Sequence, residues 1–238
     1  NTNPLNPIIG IRAIGGAPGL VTKIGAAVIN GFRAGGILPA AKHFPGHGAS
    51  GEDSHKLLPV IKLPLAELEK NHFPPFKKAI ELKVPLIMTA HILYPALDPE
   101  NPVALSKPLL VDLLKNKLGF GGLVITDSLD MGAITSKYPI HRAAAMALKA
   151  GADILLLGKG DFQKARDEIV RQVKAGIITE TRVNDAYYRI CEAKRAADLF
   201  ETLAFPAPFD KAYINIAEAL SRAAVTLVSD RNRLIPLK

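Results

Sequence analysis

Gly122-Leu123-Val124-Ile125-Thr126-Asp127 decides the fold class, because here an uninterrupted apolar run ends in a carboxylate. A strand that is buried on both faces shows such a continuous run, and strands of this kind belong to parallel sheets. Three further runs follow the same pattern, at residues 37–43, 85–91 and 153–157. We therefore predict four parallel strands.

Helical patterns alternate with these runs. They cover residues 18–34, 65–82, 106–118, 139–150, 161–175 and 179–200. Glycines such as Gly119 and Gly151 stand just past the predicted helix ends, where left-handed backbone is favoured. Ser106 and Thr179 precede two of the helices as candidate caps. Strand–helix alternation of this length predicts an α/β fold with a parallel sheet.

The strand ends distinguish a closed barrel from an open sheet. Three of them carry reactive side chains, namely Lys42-His43, His91 and Asp127. Functional groups at the carboxyl ends of several strands are typical of a (β/α)8 barrel, whereas an open sheet more often has a glycine-rich phosphate loop. The sequence contains no GxxxxGKS motif. We favour the (β/α)8 TIM-type barrel.

The number of strand–helix units is too small for a complete barrel, which needs eight units and about 250 residues. We therefore expect an incomplete barrel whose N-terminal strands are absent, so that its partners include the remainder of its own barrel. Residues 1–200 would form the C-terminal portion of a catalytic barrel. Residues 201–220 would be a linker and helix, and residues 221–238 the first strand of a second α/β domain.

Composition narrows the function classes. Hydrophobic residues make up 48% of 238 residues, enough for a sizeable core, and no apolar run approaches the ~20 residues of a membrane helix. The net charge is +8, but the lysines and arginines are interspersed with acids, so we predict no nucleic-acid partner. The single cysteine, Cys191, excludes an internal disulfide. The compartment stays open between bacterial cytoplasm and a secreted or cell-wall location.

The segment from Lys42 to His55 combines titratable side chains with flexible backbone, as active-site loops do. Asp53 can orient the imidazole of His55 and so create a proton-transfer group, although His47 could be the working histidine instead. Asp127 could attack the anomeric carbon of a sugar, or it could cap the following helix. Asp130 is a competing carboxylate that we expect to face solvent or the helix start.

Four further residues are candidate donors to sugar hydroxyls: Arg12, Lys42, His43 and His91. Arg12 could equally be a surface arginine, and His91 a buried, hydrogen-bonded histidine. Lys42 and His43 would point to opposite faces of a strand unless the backbone bends. The Pro45-Gly46 step directly after them supplies such a bend.

These motifs together resemble the family 3 glycoside hydrolases, in their β-N-acetylglucosaminidase branch. The similar segments are Lys42-His-Phe-Pro-Gly-His-Gly48, Asp53-Ser-His55, Ile125-Thr-Asp-Ser-Leu-Asp-Met-Gly-Ala-Ile134, the opening Asn-x-Asn-Pro-x-x-Pro-Ile-Ile-Gly-x-Arg and Ser221-Arg-Ala-Ala-Val-Thr-Leu-Val228. The last of these resembles the entry to the family's C-terminal α/β sandwich domain.

The resemblance implies a retaining hydrolase that acts on terminal β-linked N-acetylglucosamine, in peptidoglycan fragments or chitooligosaccharides. Asp127 aligns with the nucleophile, His55 with the acid/base on a mobile loop, and Asp53 with its partner carboxylate. Arg12, Lys42 and His43 align with sugar-binding residues. We expect no cofactor and no metal ion.

Two other interpretations stay open at this point. A metal-dependent barrel hydrolase would use the same histidines and Asp127 as ligands, although neither His-x-His nor His-Glu-x-x-His spacing occurs. A non-catalytic, cell-wall carbohydrate-binding fragment would fit the basic charge. A histidine acid/base also suggests the hypothesis that phosphate, as well as water, can accept the glycosyl group.

Overall fold

The computed structural model describes residues 2–199 and 211–225. Its contacts divide the chain into two units, Asn1–Phe200 and Glu201–Lys238. Among the described residues, the first unit holds the sheet and most of the helices, and the second holds one helix. Residues 226–238 of the predicted second domain lie outside the described residues, as do residues 201–210 of the predicted linker and helix.

Three strands form a parallel sheet in the order β1-β2-β3: β1 (Ala40–Phe44), β2 (Leu86–Thr89) and β3 (Leu123–Ile125). Leu86 at the start of β2 pairs with Ala40 on one side and Leu123 on the other. All carboxyl ends therefore meet at the same edge of the sheet. This arrangement confirms the predicted α/β fold with parallel strands.

Two strand predictions need correction. The first strand begins at Ala40 rather than at residue 37, because Pro39 has no amide hydrogen to give to a neighbouring strand. The predicted strand at 153–157 lies along β3 but forms only one ladder pair, Ile154 with Ile125. Beyond this pair, the amide of Leu156 donates to the Thr126 hydroxyl at 3.0 Å, so a side chain replaces the backbone partner.

The helices of the first unit fall within the predicted segments, except the helix Gly132–Thr135, which lies in none of them. They are α1 (Pro18–Ala34), α2 (Leu65–Glu67), α3 (Phe73–Glu81), α4 (Gly132–Thr135), α5 (Ile140–Ala150), α6 (Phe162–Lys174) and α7 (Glu180–Ala196), with 3-10 turns at Gly10–Arg12 and Val103–Leu105 and π-helices at Leu68–His72 and Pro108–Lys117. The second unit contributes α8 (Lys211–Ala223).

The predicted helix boundaries are supported by hydrogen bonds. Thr179 Oγ1 accepts from the amide of Arg182 at 3.2 Å, and Ser106 Oγ accepts from that of Leu109 at 3.3 Å. Gly119 and Gly151 have φ angles of 74° and 120°, as expected just past helix ends. None of the helices in the described part of the chain is long and apolar enough to cross a bilayer.

The core lies between the sheet and its covering helices. Phe44, Ile87 and Val124, one from each strand, are completely buried. The ring of Phe44 meets that of Phe76 edge-on at 5.3 Å. A row of buried alanines in α5 allows that helix to approach closely. In β2, the buried Ile87 and Thr89 alternate with the half-buried Leu86 and Met88, so one face of this strand is covered more completely than the other.

A buried carboxylate joins the helices to the sheet. The side chain of Asp153 is 0% exposed and contacts Lys115 Nζ at 3.3 Å and Arg182 Nη2 at 2.7 Å. It also accepts from the amide of Val124 at 2.9 Å. One carboxylate therefore links the π-helix Pro108–Lys117 and α7 to β3.

Candidate active site

The candidate residues gather at the carboxyl edge of the sheet. Lys42 and His43 lie at the end of β1, His91 two residues beyond β2 and Asp127 two residues beyond β3. The sequence predicts this edge as the site, because three strands end there in reactive side chains.

The predicted bend of the backbone occurs inside β1 rather than after it. The pairing register with β2 shifts between Lys42 and Phe44, so His43 is an extra residue in the ladder. Such a bulge re-aims side chains that would otherwise alternate. As a result, Lys42 and His43 both line one groove of about 470 Å³ together with Arg12. The structure thus brings three of the four predicted sugar-binding residues together.

His43 connects this groove with Asp127. Its Nε2 lies 3.6 Å from Asp127 Oδ2, and its side chain is buried. Burial lowers the pKa of His43 from 6.5 to about 4, although the Asp127 carboxylate acts in the opposite direction. At neutral pH the ring is therefore uncharged, and we interpret this contact as a dipole beside a carboxylate rather than an ion pair.

Asp127 presents two inequivalent carboxylate oxygens. Oδ1 accepts from the amide of Ser128 at 2.8 Å, which orients the group. Oδ2 accepts no hydrogen bond from the residues that the structure describes. The side chain is partly exposed at the edge of the sheet. Asp127 therefore has one oxygen held by the backbone and one available for a ligand.

His91 matches the alternative of a buried, hydrogen-bonded histidine. Its Nε2 donates to the carbonyl of Ser128 at 3.0 Å, and its buried Nδ1 has no hydrogen-bond partner within the described residues. Burial lowers the pKa of His91, which keeps the ring neutral. In this position His91 supports the backbone beside Asp127, and a direct bond to the sugar stays a prediction.

Asp53 and His55 form the pair that the sequence predicts. Asp53 Oδ1 accepts from His55 Nδ1 at 2.9 Å and from the His55 amide at 2.8 Å. These bonds, with the backbone contribution first, lower the pKa of Asp53 and keep it ionised. The His55 side chain is 59% exposed. Since Nδ1 is taken by Asp53, Nε2 is the nitrogen that can exchange a proton with a ligand.

His47, the alternative working histidine, and the segment that begins at Gly132 both contact the loop that carries this pair. His47 Nε2 lies 3.0 Å from Ser54 Oγ in a buried contact. The carbonyls of Ser54 and His55 accept from the amides of Ala133 and Gly132 at 3.1 Å and 2.9 Å. The only sequence signal was the position of His47 between two glycines. No direct hydrogen bond or ion pair joins His55 to Asp127 in the described structure.

Asp130 is half-buried just before α4, and its carboxylate has partners on another segment of the chain. Its carboxylate accepts from Ser128 Oγ at 2.6 Å and from the amide of Lys159 at 3.0 Å. The Ser128 hydroxyl is the main cause of its lowered pKa. A side chain at Gly158 would collide with this carboxylate. Asp130 thus holds the turn at Gly158–Lys159 through the hydrogen bond from the Lys159 amide.

The described residues contain no group of three or more His, Cys, Asp or Glu side chains arranged to hold a metal ion.

Comparison with known proteins identifies relatives. The chain is 38% identical over 214 residues to beta-hexosaminidase A of Pseudoalteromonas piscicida, an alignment that covers 82% of this chain and 36% of that protein. The structure resembles a glycoside hydrolase family 3 beta-N-acetylglucosaminidase from Paenibacillus sp. str. FPU-7, with a TM-score of 0.88, 34% identity and coverage of 93% of this chain and 44% of that chain.

A second solved structure is also similar. It is a beta-glucoside phosphorylase, BglX, bound to 2FGlc, with a TM-score of 0.92 and 28% identity. The match covers 100% of this chain and 45% of that one. The chain spans between 36% and 46% of the length of the curated relatives that it matches.

The family model agrees with the resemblance in the sequence motifs. The model for the glycosyl hydrolase family 3 N terminal domain matches residues 1–193. This match includes β1, β2, β3 and every candidate site residue. The chain therefore belongs to glycosyl hydrolase family 3, through the N terminal domain of that family.

Proposed function

We propose that the full-length protein containing this chain is a retaining glycoside hydrolase that removes terminal β-linked N-acetylglucosamine from peptidoglycan fragments or chitooligosaccharides. The carrying observation is that two carboxylates have different partners. Asp127 keeps Oδ2 free at the sheet edge, whereas Asp53 is bonded to the exposed His55 at 2.9 Å. A free carboxylate oxygen suits a nucleophile, and a carboxylate–imidazole pair suits proton transfer.

In the first step, Asp127 Oδ2 would bond to the anomeric carbon while the glycosidic C–O bond breaks. His55 Nε2–H would donate its proton to the departing oxygen. In the second step, water would give a proton to Nε2 while its oxygen bonds to the anomeric carbon and the Asp127 ester bond breaks. Two inversions retain the anomeric configuration.

Arg12, Lys42 and His43 would bind the sugar in the groove beside Asp127. Arg12 and Lys42 are exposed cations whose donors can reach hydroxyl or acetamido oxygens. His43 lies between the groove and Asp127 and is neutral, so it can donate a hydrogen bond without neutralising the nucleophile. The names of the relatives, beta-hexosaminidase and beta-N-acetylglucosaminidase, support the choice of sugar.

We infer a (β/α)8 barrel for the full-length protein, with strands beyond this chain completing the sheet and a C-terminal α/β sandwich following residue 221. The parallel order of β1, β2 and β3 is compatible with a barrel wall. The small share of the relatives' length that this chain spans supports a larger catalytic unit.

The test is turnover of 4-nitrophenyl β-N-acetylglucosaminide by the full-length protein and its Asp127→Asn variant. We expect Asp127→Asn to abolish turnover, and NMR of the first product to show the β-anomer. Asp130→Asn is the matched control, because Asp130 holds a turn and should keep substantial activity. Full activity of Asp127→Asn would overturn the proposal.

A second candidate reaction is phosphorolysis, in which phosphate replaces water in the second step. Two observations favour it: the acid/base candidate is an imidazole rather than a carboxylate, and a similar solved structure is named a phosphorylase. An anionic acceptor approaches an imidazole with less repulsion than a second carboxylate would cause. N-acetylglucosamine 1-phosphate should then form in phosphate buffer, and free sugar as the sole product would exclude this reaction.

A further inference from the structure

We propose that Gly132 and His47 are positioning residues that hold the acid/base loop, defined as residues 48–56, against the segment that follows Asp127. The inference rests on the proposed function, since it assigns the way in which His55 is held relative to the nucleophile. Gly132 would act through its backbone amide and His47 through the Ser54 hydroxyl, and His47 also lines the groove that contains Arg12, Lys42 and His43.

The first contact joins backbone to backbone. The amides of Gly132 and Ala133, at the start of α4, donate to the carbonyls of His55 and Ser54 at 2.9 Å and 3.1 Å. The first amides of a helix have no partner within it, and the cap position Met131 makes no side-chain bond to them. The acid/base loop therefore supplies the acceptors that α4 needs, and α4 fixes the loop in return.

This contact requires glycine at position 132. A Cβ atom there would lie 2.7 Å from the carbonyl oxygen of His55, closer than real Cβ atoms approach another heavy atom. The obstructing atoms belong to the backbone of His55 and Lys56, so no side chain can turn away. Any larger residue must push the acid/base loop outward.

The second contact is the buried pair His47–Ser54. His47 Nε2 and Ser54 Oγ are 3.0 Å apart, and both side chains are almost completely buried. Burial lowers the pKa of His47, so the ring is neutral. The carbonyl of His47 accepts from Asn6 Nδ2 at 2.8 Å, which holds the histidine itself. A loss of the Ser54 hydroxyl would leave a buried ring nitrogen without a partner.

The two contacts fall where they control the proton-transfer pair. Ser54 stands between Asp53 and His55 in the chain, and α4 begins five residues after Asp127. Displacement of Ser54 would move both members of the pair together and leave their mutual bond intact. What changes is the distance from His55 to a sugar bound at Asp127, and a shift of about 1 Å can cost about 100-fold in rate.

The experiment compares aryl β-N-acetylglucosaminides with different leaving groups in the full-length protein. A poor leaving group such as phenol needs the acid, whereas 2,4-dinitrophenol departs without it. We expect Gly132→Ala to lower kcat/KM for the phenyl glycoside by about 100-fold and that for the dinitrophenyl glycoside by less than about 3-fold. The second step still needs His55 as a base, so kcat for the dinitrophenyl glycoside should fall in Gly132→Ala. Azide, which can replace water and needs no base, should restore this kcat.

Gly121→Ala is the matched control, because a Cβ at that position meets nothing within 4 Å. Gly121→Ala should leave kcat/KM unchanged for both the phenyl and the dinitrophenyl glycoside. Ser54→Ala removes the second contact without added bulk, and it keeps the test valid if Gly132→Ala fails to fold. It should show the same leaving-group dependence, with a smaller loss of about 10-fold for the phenyl glycoside.

Equal losses for both substrates, or no loss in Ser54→Ala, would overturn the positioning role. If either result is found while Asp127→Asn is inactive, the positioning role is refuted and the proposed function is not. An active Asp127→Asn would instead refute the proposed function, whatever the leaving-group dependence shows.

Discussion

His43 Nε2 lies 3.6 Å from Asp127 Oδ2 although 84 positions separate the two residues in the chain. The contact arises because parallel strands bring their carboxyl ends to one edge and because β1 bulges at His43. It places a neutral imidazole beside the proposed nucleophile. Protonation of that ring would create a buried charge, and this has a measurable effect on stability.

Stability should fall as pH decreases from 6.5 toward about 4. Burial lowers the pKa values of His43, His47 and His91 in the folded state, so the unfolded chain binds protons first. The stabilisation is complete above 6.5 and is lost as pH falls through the folded pKa values. Urea unfolding measured from pH 7 to pH 4 checks this, and His43→Gln should show a shallower decline.

Protonation of the carboxylates affects stability mainly below the pH range in which the histidines are protonated. The ordinary pKa is 3.8 for aspartate and 4.5 for glutamate, and the pKa values of Asp53, Asp98, Asp130 and Glu168 are lowered further. Their contribution is therefore lost mainly below the histidine range. A free energy of unfolding that stays constant between pH 6.5 and 4 would contradict the assignment of neutral histidines.

Asp153→Asn should destabilise the first unit by about 3–5 kcal/mol, because Lys115 and Arg182 would lose their shared buried carboxylate. Chemical denaturation monitored by circular dichroism measures the change. The control is Asp167→Asn, which breaks the exposed pair with Arg166 and should cost at most about 1 kcal/mol. Similar losses in both variants would argue against a special role of Asp153.

Asp53→Asn should reduce turnover of the phenyl glycoside by about 100-fold or more, within the range of general acid–base catalysis. The substitution removes the negative charge that accepts from His55 Nδ1 at 2.9 Å. Steady-state kinetics with the phenyl and dinitrophenyl glycosides provide the measurement. His55→Ala should show the same leaving-group dependence, and an Asp53→Asn variant that affects only KM would exclude the orienting role.

Asp98→Ala should destabilise the fold by about 1–3 kcal/mol, because it removes the acceptor of several hydrogen bonds. Asp98 accepts from Ser106 Oγ at 2.7 Å and from the amides of Glu100 and Asn101 at 2.9 Å and 3.1 Å. The exposed cap Asp161→Ala is the comparison and should cost about 1 kcal/mol. Thermal unfolding distinguishes the two variants, and equal melting temperatures would contradict the prediction.

The fold was predictable to the extent that burial leaves a local trace in the sequence. β2 and β3 lie inside the predicted runs because the strands of a parallel sheet are rich in consecutive apolar residues. The run at 153–157 shows the limit of this signal. Apolar content cannot tell whether a neighbouring strand offers a backbone group or, as at Thr126, a side-chain hydroxyl.

The candidate site was predictable in its parts and less in its connections. Asp53 and His55 are two residues apart, so their hydrogen bond follows from local geometry. The approach of His43 to Asp127 depends on the sheet register and on a bulge inside β1, and neither can be predicted from the local sequence. The bonds from Gly132 and Ala133 join backbone atoms, so their one trace in the sequence is the glycine at position 132, whose partner the sequence does not identify.

The backbone contact at Gly132 bears on the exchange of loops between homologous enzymes. A grafted acid/base loop would arrive with carbonyl positions suited to its original host. It would fit only if the recipient keeps glycine at position 132 and the same spacing from Asp127 to α4. Chimeras that transfer residues 48–56 together with residues 127–135 should therefore retain activity more often than chimeras that transfer the loop alone.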